Sequence, residues 1–254
     1  MNKVLSIDIG STRTHIAVVD TDRRQCIVRS AFDNTEFNGR FLSSIKSISS
    51  KHKQIDRANI TSCVKVLAVQ AKEMCGGFDG VNIIKAHGGL PVSIEYEKPH
   101  TLGTDRLCNA LACAAMFEGK SCVIIDSGTA ITVDYLRGGK VFCGGAILPG
   151  CAMQARALHL HTDSLPSVDP RDNGGDDAAA IPAASTESCV NAGILFGTAG
   201  AVERCVGESL RGGGDDALVI ATGGGWEIIR PLVDIGRNIE TIEDLTLIGA
   251  AIYK

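Results

Sequence analysis

No stretch of the 254-residue chain stays apolar for the ~18 residues that a membrane span needs. The longest candidate, residues 192–202, is short and broken by glycines, and it reads as a buried helix. No basic segment with a long apolar stretch precedes the first strand, so a signal peptide is not expected and the expected location is cytoplasmic. Basic charge is not in excess. Lys and Arg number 25 against 29 Asp and Glu, a formal net charge of −4. Neither nucleic acid nor membrane is therefore an expected partner, whereas a small anionic ligand needs only a local basic group. None of the 10 cysteines forms a C-x-x-C pair. Zinc sites usually show such short spacings, so the cysteines read as scattered thiols in a reducing compartment. His159 and His161 have no acid or Cys partner at ligand spacing and read as structural. Two common nucleotide signatures are missing too. Gly119-Lys120-Ser121 mimics the end of a P-loop, but Ala114 stands where its first glycine belongs and the strand follows instead of preceding. Gly223-Gly224-Gly225 is not a dinucleotide fingerprint, because Ile228 occupies the last glycine position.

What is present is an ordinary globular balance, 44% hydrophobic and 21% charged. That is enough for one large domain or two small ones. Residues 3–9 and 15–20 read as strands joined by a hairpin with a polar tip. Residues 37–54 read as a helix with Phe37, Phe41, Leu42, Ile45 and Ile48 on one face. Residues 58–69 read as a strand, a link and a second short strand, and 81–86 as another strand. After Pro99 comes a helix with Leu107, Ala110, Leu111 and Ala114 on its core face, ended by Gly119. Residues 122–126 read as a buried strand and 131–136 as its return. Residues 150–160 and 187–210 read as helices, 167–180 as an exposed loop, and 218–221 as a strand before a glycine turn.

One plan occurs twice. Residues 7–12 (IDIGST) and 125–130 (IDSGTA) each end a buried strand in D-x-G, with hydroxyl residues just beyond. This predicts two similar halves, 1–118 and 119–254, each a mixed β-sheet flanked by helices. The glycine allows close backbone approach, and exposed amides with the hydroxyls of Ser11, Thr12 and Thr14 can face a phosphate chain. Asp8 can hold a hydrated magnesium ion, and Arg13 adds positive charge. Asp126 can bind a cation, Thr129 can hold phosphate, and the turn 222–225 lets backbone approach a nucleoside. Between the hairpins, residues 99–106 open a helix. Its free amides carry partial positive charge, Arg106 can pair with a carboxylate, and Asp105 can take a proton from an attacking hydroxyl.

Together the stretches DIGST (8–12), GTDR (103–106), IDSGTAITVD (125–134), GGAILPG (144–150), HTDSLPSV (161–168), ATGGG (221–225) and LTLIGA (245–250) resemble the type III pantothenate kinases. That resemblance implies an α/β fold of two ribonuclease H-like (actin-like) halves. It implies ATP-dependent phosphorylation of pantothenate to 4'-phosphopantothenate, the first step of coenzyme A synthesis, by a homodimer using magnesium and a monovalent cation, potassium or ammonium. On the family's pattern Asp8, Ile9, Gly10, Ser11, Thr12, Arg13, Thr14 and His15 form the ATP phosphate loop, with Thr129 a further ATP contact. Asp105 matches the catalytic base. Gly103, Thr104, Asp105 and Arg106 match the pantothenate strip, Tyr96 an aromatic substrate contact, and Thr186 a contact near the subunit boundary. Asp126 matches the monovalent-cation ligand. The chain departs from the family's D-x-G-N-T by carrying Ser11 in place of Asn. The alternatives are a kinase for another small hydroxylated acceptor, a polyphosphate phosphatase, or a non-catalytic or dual-role regulatory factor on the same fold. A filament protein fits poorly, since the chain lacks length for large insertions.

Overall fold

The computed structural model describes residues 2–52, 54–87, 89–171, 180–213 and 216–253. Among them the chain forms β1 (Lys3–Ile9), β2 (Arg13–Asp20), β3 (Gln25–Asp33), α1 (Phe37–Lys51), β4 (Ile55–Ser62), α2 (Lys65–Met74), β5 (Gly80–Ile83) and β6 (Ser93–Ile94). Then follow α3 (Thr104–Met116), β7 (Cys122–Ser127), β8 (Ala130–Arg137), β9 (Val141–Pro149), α4 (Cys151–Leu160), α5 (Thr186–Gly213), β10 (Leu218–Thr222), α6 (Trp226–Ile229), β11 (Ile239–Thr241) and α7 (Leu245–Ile252). Two compact units result. One comprises Met1–Cys122, Leu136–Gly144 and Asp244–Lys254, the other Val123–Tyr135 and Gly145–Glu243.

The first sheet has the order β3-β2-β1-β4-β5. β1 pairs antiparallel with β2 and parallel with β4, in a register that sets Asp8 opposite both His15 and Thr61. The second sheet runs β11-β10-β7-β8-β9-β6. Leaving β6 aside, its strands repeat the first order, with β7 in the place of β1. The twofold D-x-G plan thus marks the two central strands. A central strand is covered on both faces, which is why β1 and β7 are buried along most of their length, with Ser6 and Ser127 the buried polar residues among them.

In unit 1, α1 packs Phe37, Phe41, Ile45 and Ile48 on the sheet, but Leu42 is 40% exposed, because the next residue turns about 100° off that stripe. The second short strand read within 58–69 is instead the start of α2. Its Ala68, Ala71 and Cys75 follow the helical period into the core, while Val66 and Val69, whose β-branching suggested a strand, face solvent. β3 went unread because only one residue in two is shielded along it. α3 buries every residue from Arg106 to Cys113, and Ala114 is half-buried. Met116 ends it, and Gly119 follows with φ +72°. The loop read over 167–180 lies outside the described residues from 172 to 179.

α7 lies against α3 so closely that a Cβ on Gly249 would sit on the backbone carbonyl of Cys108. Buried polar groups finish this contact. Ser6 Oγ donates to Leu247 O at 2.6 Å, and Asn59 Nδ2 donates to Ala250 O and Tyr253 O at 2.8 and 2.9 Å. Asn59 thereby satisfies carbonyls that the end of a helix leaves without partners. All ten cysteines are free thiols. Burial pushes the Cys75 thiol up to about 12, which keeps it protonated and inert at neutral pH. No described helix is long and apolar enough to cross a membrane. Gly249→Ala is expected to force α7 off α3 and cost about 1–3 kcal/mol, the usual range for overpacking. Urea unfolding measures this, and an unchanged midpoint would refute the close approach.

Candidate active site

The first hairpin closes through Gly10 N–H, which donates to Arg13 O at 2.9 Å. Ser11, Thr12, Arg13 and His15 are exposed, and Asp8 is half-buried at the end of β1. Arg13 approaches Asp33 at 3.7 Å. Ile9 is fully buried, so only its backbone can face a ligand. Thr14 corrects the reading of its hydroxyl as phosphate-facing. It is buried, and its Oγ1 donates to Asn34 Oδ1 at 2.7 Å. Asn34 also donates from Nδ2 to Gly10 O at 2.8 Å and from its backbone N–H to Thr12 O at 2.9 Å.

The strip at the start of α3 is held by Thr104, whose hydroxyl accepts from Thr61 Oγ1 at 2.8 Å and from Ser62 N–H at 3.2 Å. Asp105 is half-buried in the first turn. Its Oδ1 accepts from Arg106 N–H at 2.8 Å and its Oδ2 from the Cys63 thiol at 3.5 Å. Residue 103 must be glycine for this carboxylate to fit, since a Cβ there would lie 2.5 Å from Asp105 Oδ1. Arg106 is only 5% exposed. Its guanidinium lies 5.8 Å from the centre of the Tyr96 ring and 5.5 Å from that of Phe142, with Nη1 3.5 Å from the Tyr96 hydroxyl. Such cation–π contacts favour a guanidinium at a buried position. Tyr96 in turn rests on Gly144, whose φ is +88°. Cys108, one turn along α3, has its thiol pushed well above the ordinary range, by burial first and then by the Asp8 and Asp105 carboxylates, against a Thr61 hydrogen bond. Asp8 and Asp105 thus act on one buried group. Sequence reasoning missed Asn34, Cys63 and Phe142, and nothing in their local sequence flags them.

In unit 2 the second hairpin is tighter, with Gly128 N–H donating to Ala130 O at 3.0 Å, two residues on instead of three. Asp126 is half-buried and Thr129 exposed. The glycine turn folds against this strand end, with Gly225 N–H donating to Ser127 O at 2.7 Å. Gly223, at φ +91°, would bring a Cβ within 2.7 Å of Asp126 Oδ1. From the other side Gly150 N–H donates to Thr129 O at 3.0 Å. Thr186 is exposed as the first residue of α5, behind Ser185, whose hydroxyl accepts from Ser188 N–H at 3.2 Å. His159 is tied locally, its Nδ1 2.9 Å from Leu165 O. Among the described residues no three His, Cys, Asp or Glu side chains gather as a metal cluster. Asp8 and Asp126 each offer a half-buried carboxylate, the kind of oxygen donor that a hard cation takes when phosphate or water completes its shell.

Comparison with known structures identifies the fold. The (R)-2-hydroxyglutaryl-CoA dehydratase component A of Acidaminococcus fermentans aligns over 99% of this chain and 97% of its own, with TM-score 0.60 and 15% identity. The inorganic polyphosphate/ATP-glucomannokinase of Arthrobacter sp. strain KM aligns over 99% and 98%, with TM-score 0.54 and 13% identity. The fold is therefore actin-like, with a D-x-G hairpin in each unit. Within that fold class, the sequence model of the type III pantothenate kinases matches residues 4–208. The type III pantothenate kinase of Syntrophus aciditrophicus (strain SB) is 30% identical over 99% of this chain and 98% of its own length. The chain belongs to the type III pantothenate kinase family.

Gly103→Ala is expected to displace the Asp105 carboxylate and lower turnover at least about tenfold, the scale on which small displacements within a site act. Steady-state kinetics beside a thermal melt test this. Wild-type turnover in the folded variant would show that the Gly103 contact does not set the carboxylate.

Proposed function

We propose that this chain transfers the γ-phosphoryl group of ATP to the terminal hydroxyl of pantothenate, as its family does, and so opens coenzyme A synthesis. The observation that carries the residue assignment is the doubly anchored Asp105 carboxylate in the first turn of α3, beside a ring-stacked Arg106. Phosphoryl transfer asks mainly for positioning and neutralisation of charge. The exposed tip of the first hairpin supplies backbone amides and the Ser11 and Thr12 hydroxyls to the phosphates, and Asp8 holds magnesium. Bound magnesium would neutralise phosphate charge, with the Asp8 carboxylate as its oxygen ligand and the phosphates or water completing its shell. Asp105 accepts the proton of the attacking hydroxyl. Arg106 and Tyr96 orient pantothenate, whose carboxylate suits a guanidinium. In unit 2, Thr129 contacts ATP and Asp126 binds potassium or ammonium. Thr186 meets substrate near the boundary of a homodimer.

ADP release is expected to depend on pantothenate in the presence of ATP, magnesium and potassium. Asp105→Ala should lower that release at least about 100-fold, the scale of general-base catalysis, and leave the Kd for ATP within about twofold. An equal loss of ATP affinity would make Asp105 a nucleotide or metal ligand. Replacing potassium by sodium should lower the wild-type rate, and Asp126→Asn should abolish that difference. Equal rates in both salts would remove the cation from Asp126.

A further inference from the structure

The tip of the first hairpin, Gly10 to Thr14, contains no side-chain amide of its own, and three of its residues are exposed. A glycine-containing exposed tip is mobile unless something outside it fixes the carbonyls. We infer that Asn34 is the positioning residue of the phosphate hairpin, setting its shape for the nucleotide without touching it. This rests on the reading of the hairpin as the ATP phosphate loop.

Asn34 sits one residue beyond β3, whose last pair with β2 is Asp33 opposite Arg13. That register brings it alongside the tip. Its three bonds reach three different tip residues. Nδ2 donates to Gly10 O, Oδ1 accepts from Thr14 Oγ1, and the backbone N–H donates to Thr12 O. The side chain uses its donor on one limb of the hairpin and its acceptor on the other, so it fixes the width of the tip. The carbonyls of Gly10 and Thr12 are thereby occupied on the Asn34 side. Asn34 is itself anchored, because Phe37 three residues on stacks with Phe41 at 5.0 Å and packs on Phe32 at 6.2 Å. A loop fixed before binding loses less entropy when the nucleotide arrives, so the gain appears in ATP affinity and not in the acceptor site.

Direct binding of ATP with magnesium, measured by calorimetry on the full chain, tests this without relying on turnover. Asn34→Ala is expected to raise the ATP Kd at least about fivefold, the worth of one or two hydrogen bonds, and to leave the KM for pantothenate within about twofold. Asn34→Asp keeps size and the Thr14 acceptor but sets an oxygen against Gly10 O. It should weaken ATP as well, and it carries the test if Asn34→Ala does not fold. Asn38→Ala, exposed in the first turn of α1, should leave the ATP Kd unchanged. Wild-type ATP affinity in a folded Asn34 variant overturns the inference and leaves the kinase reading standing. Equal weakening of ATP and pantothenate with a lowered Tm overturns it in favour of a scaffold role. A wild-type chain that binds no ATP overturns the hairpin reading and the inference together.

Discussion

The hydroxyl of Thr104 is the joint on which the start of α3 hangs. By accepting from both Thr61 and Ser62 it pins the first turn of α3 to the end of β4. β4 is hydrogen-bonded to β1 in a register that sets Asp8 beside Thr61. A helix start pinned there carries Asp105 into the same frame as Asp8, and Cys63, one residue beyond β4, is delivered to Asp105 Oδ2. The carboxylate that opens the helix is also favoured there by the helix dipole. Two hydrogen bonds to one oxygen therefore convert the register of a parallel strand pair into the geometry of a candidate site.

Close packing explains why the family's signature stretches are rich in glycine. Gly103 yields space to the Asp105 carboxylate, Gly249 to the Cys108 carbonyl, and Gly223 to Asp126. In GGAILPG, a Cβ on Gly150 would meet the carbonyls of the second hairpin. These motifs are conspicuous in the sequence because packing and chemistry act on the same few positions. A side chain at any of them would displace backbone or a carboxylate, not merely crowd a neighbour.

Much of the fold was legible, and the failures have causes. The twofold D-x-G plan predicted two mixed sheets of one design, and the repeated strand order shows that design, although residues 136–144 and 244–254 group with the first unit. α2 was misread because β-branched Val66 and Val69 look strand-like locally, although the alanines between and beyond them carry the helical period. Among the site residues, the exposed Ser11 and Thr12 stand where a ligand can reach them, whereas Thr14 turned inward to serve Asn34. Arg106 was read as a charged group at a helix start, and its burial against two rings was not foreseeable.

Local order along the chain was enough to give the class, the family, the two hairpins and the strip that begins α3, because turns, caps and buried strands are set by residues within a few positions of one another. The partners of those motifs come from far along the chain. Thr61 meets Thr104 across 43 positions, Cys63 meets Asp105 across 42, and Asn34 reaches Gly10 across 24. Strand register and helix packing bring such groups together, and both are properties of the folded sheet. A hydrogen bond needs its donor and acceptor within a few tenths of an ångström, a precision that no short stretch of sequence encodes.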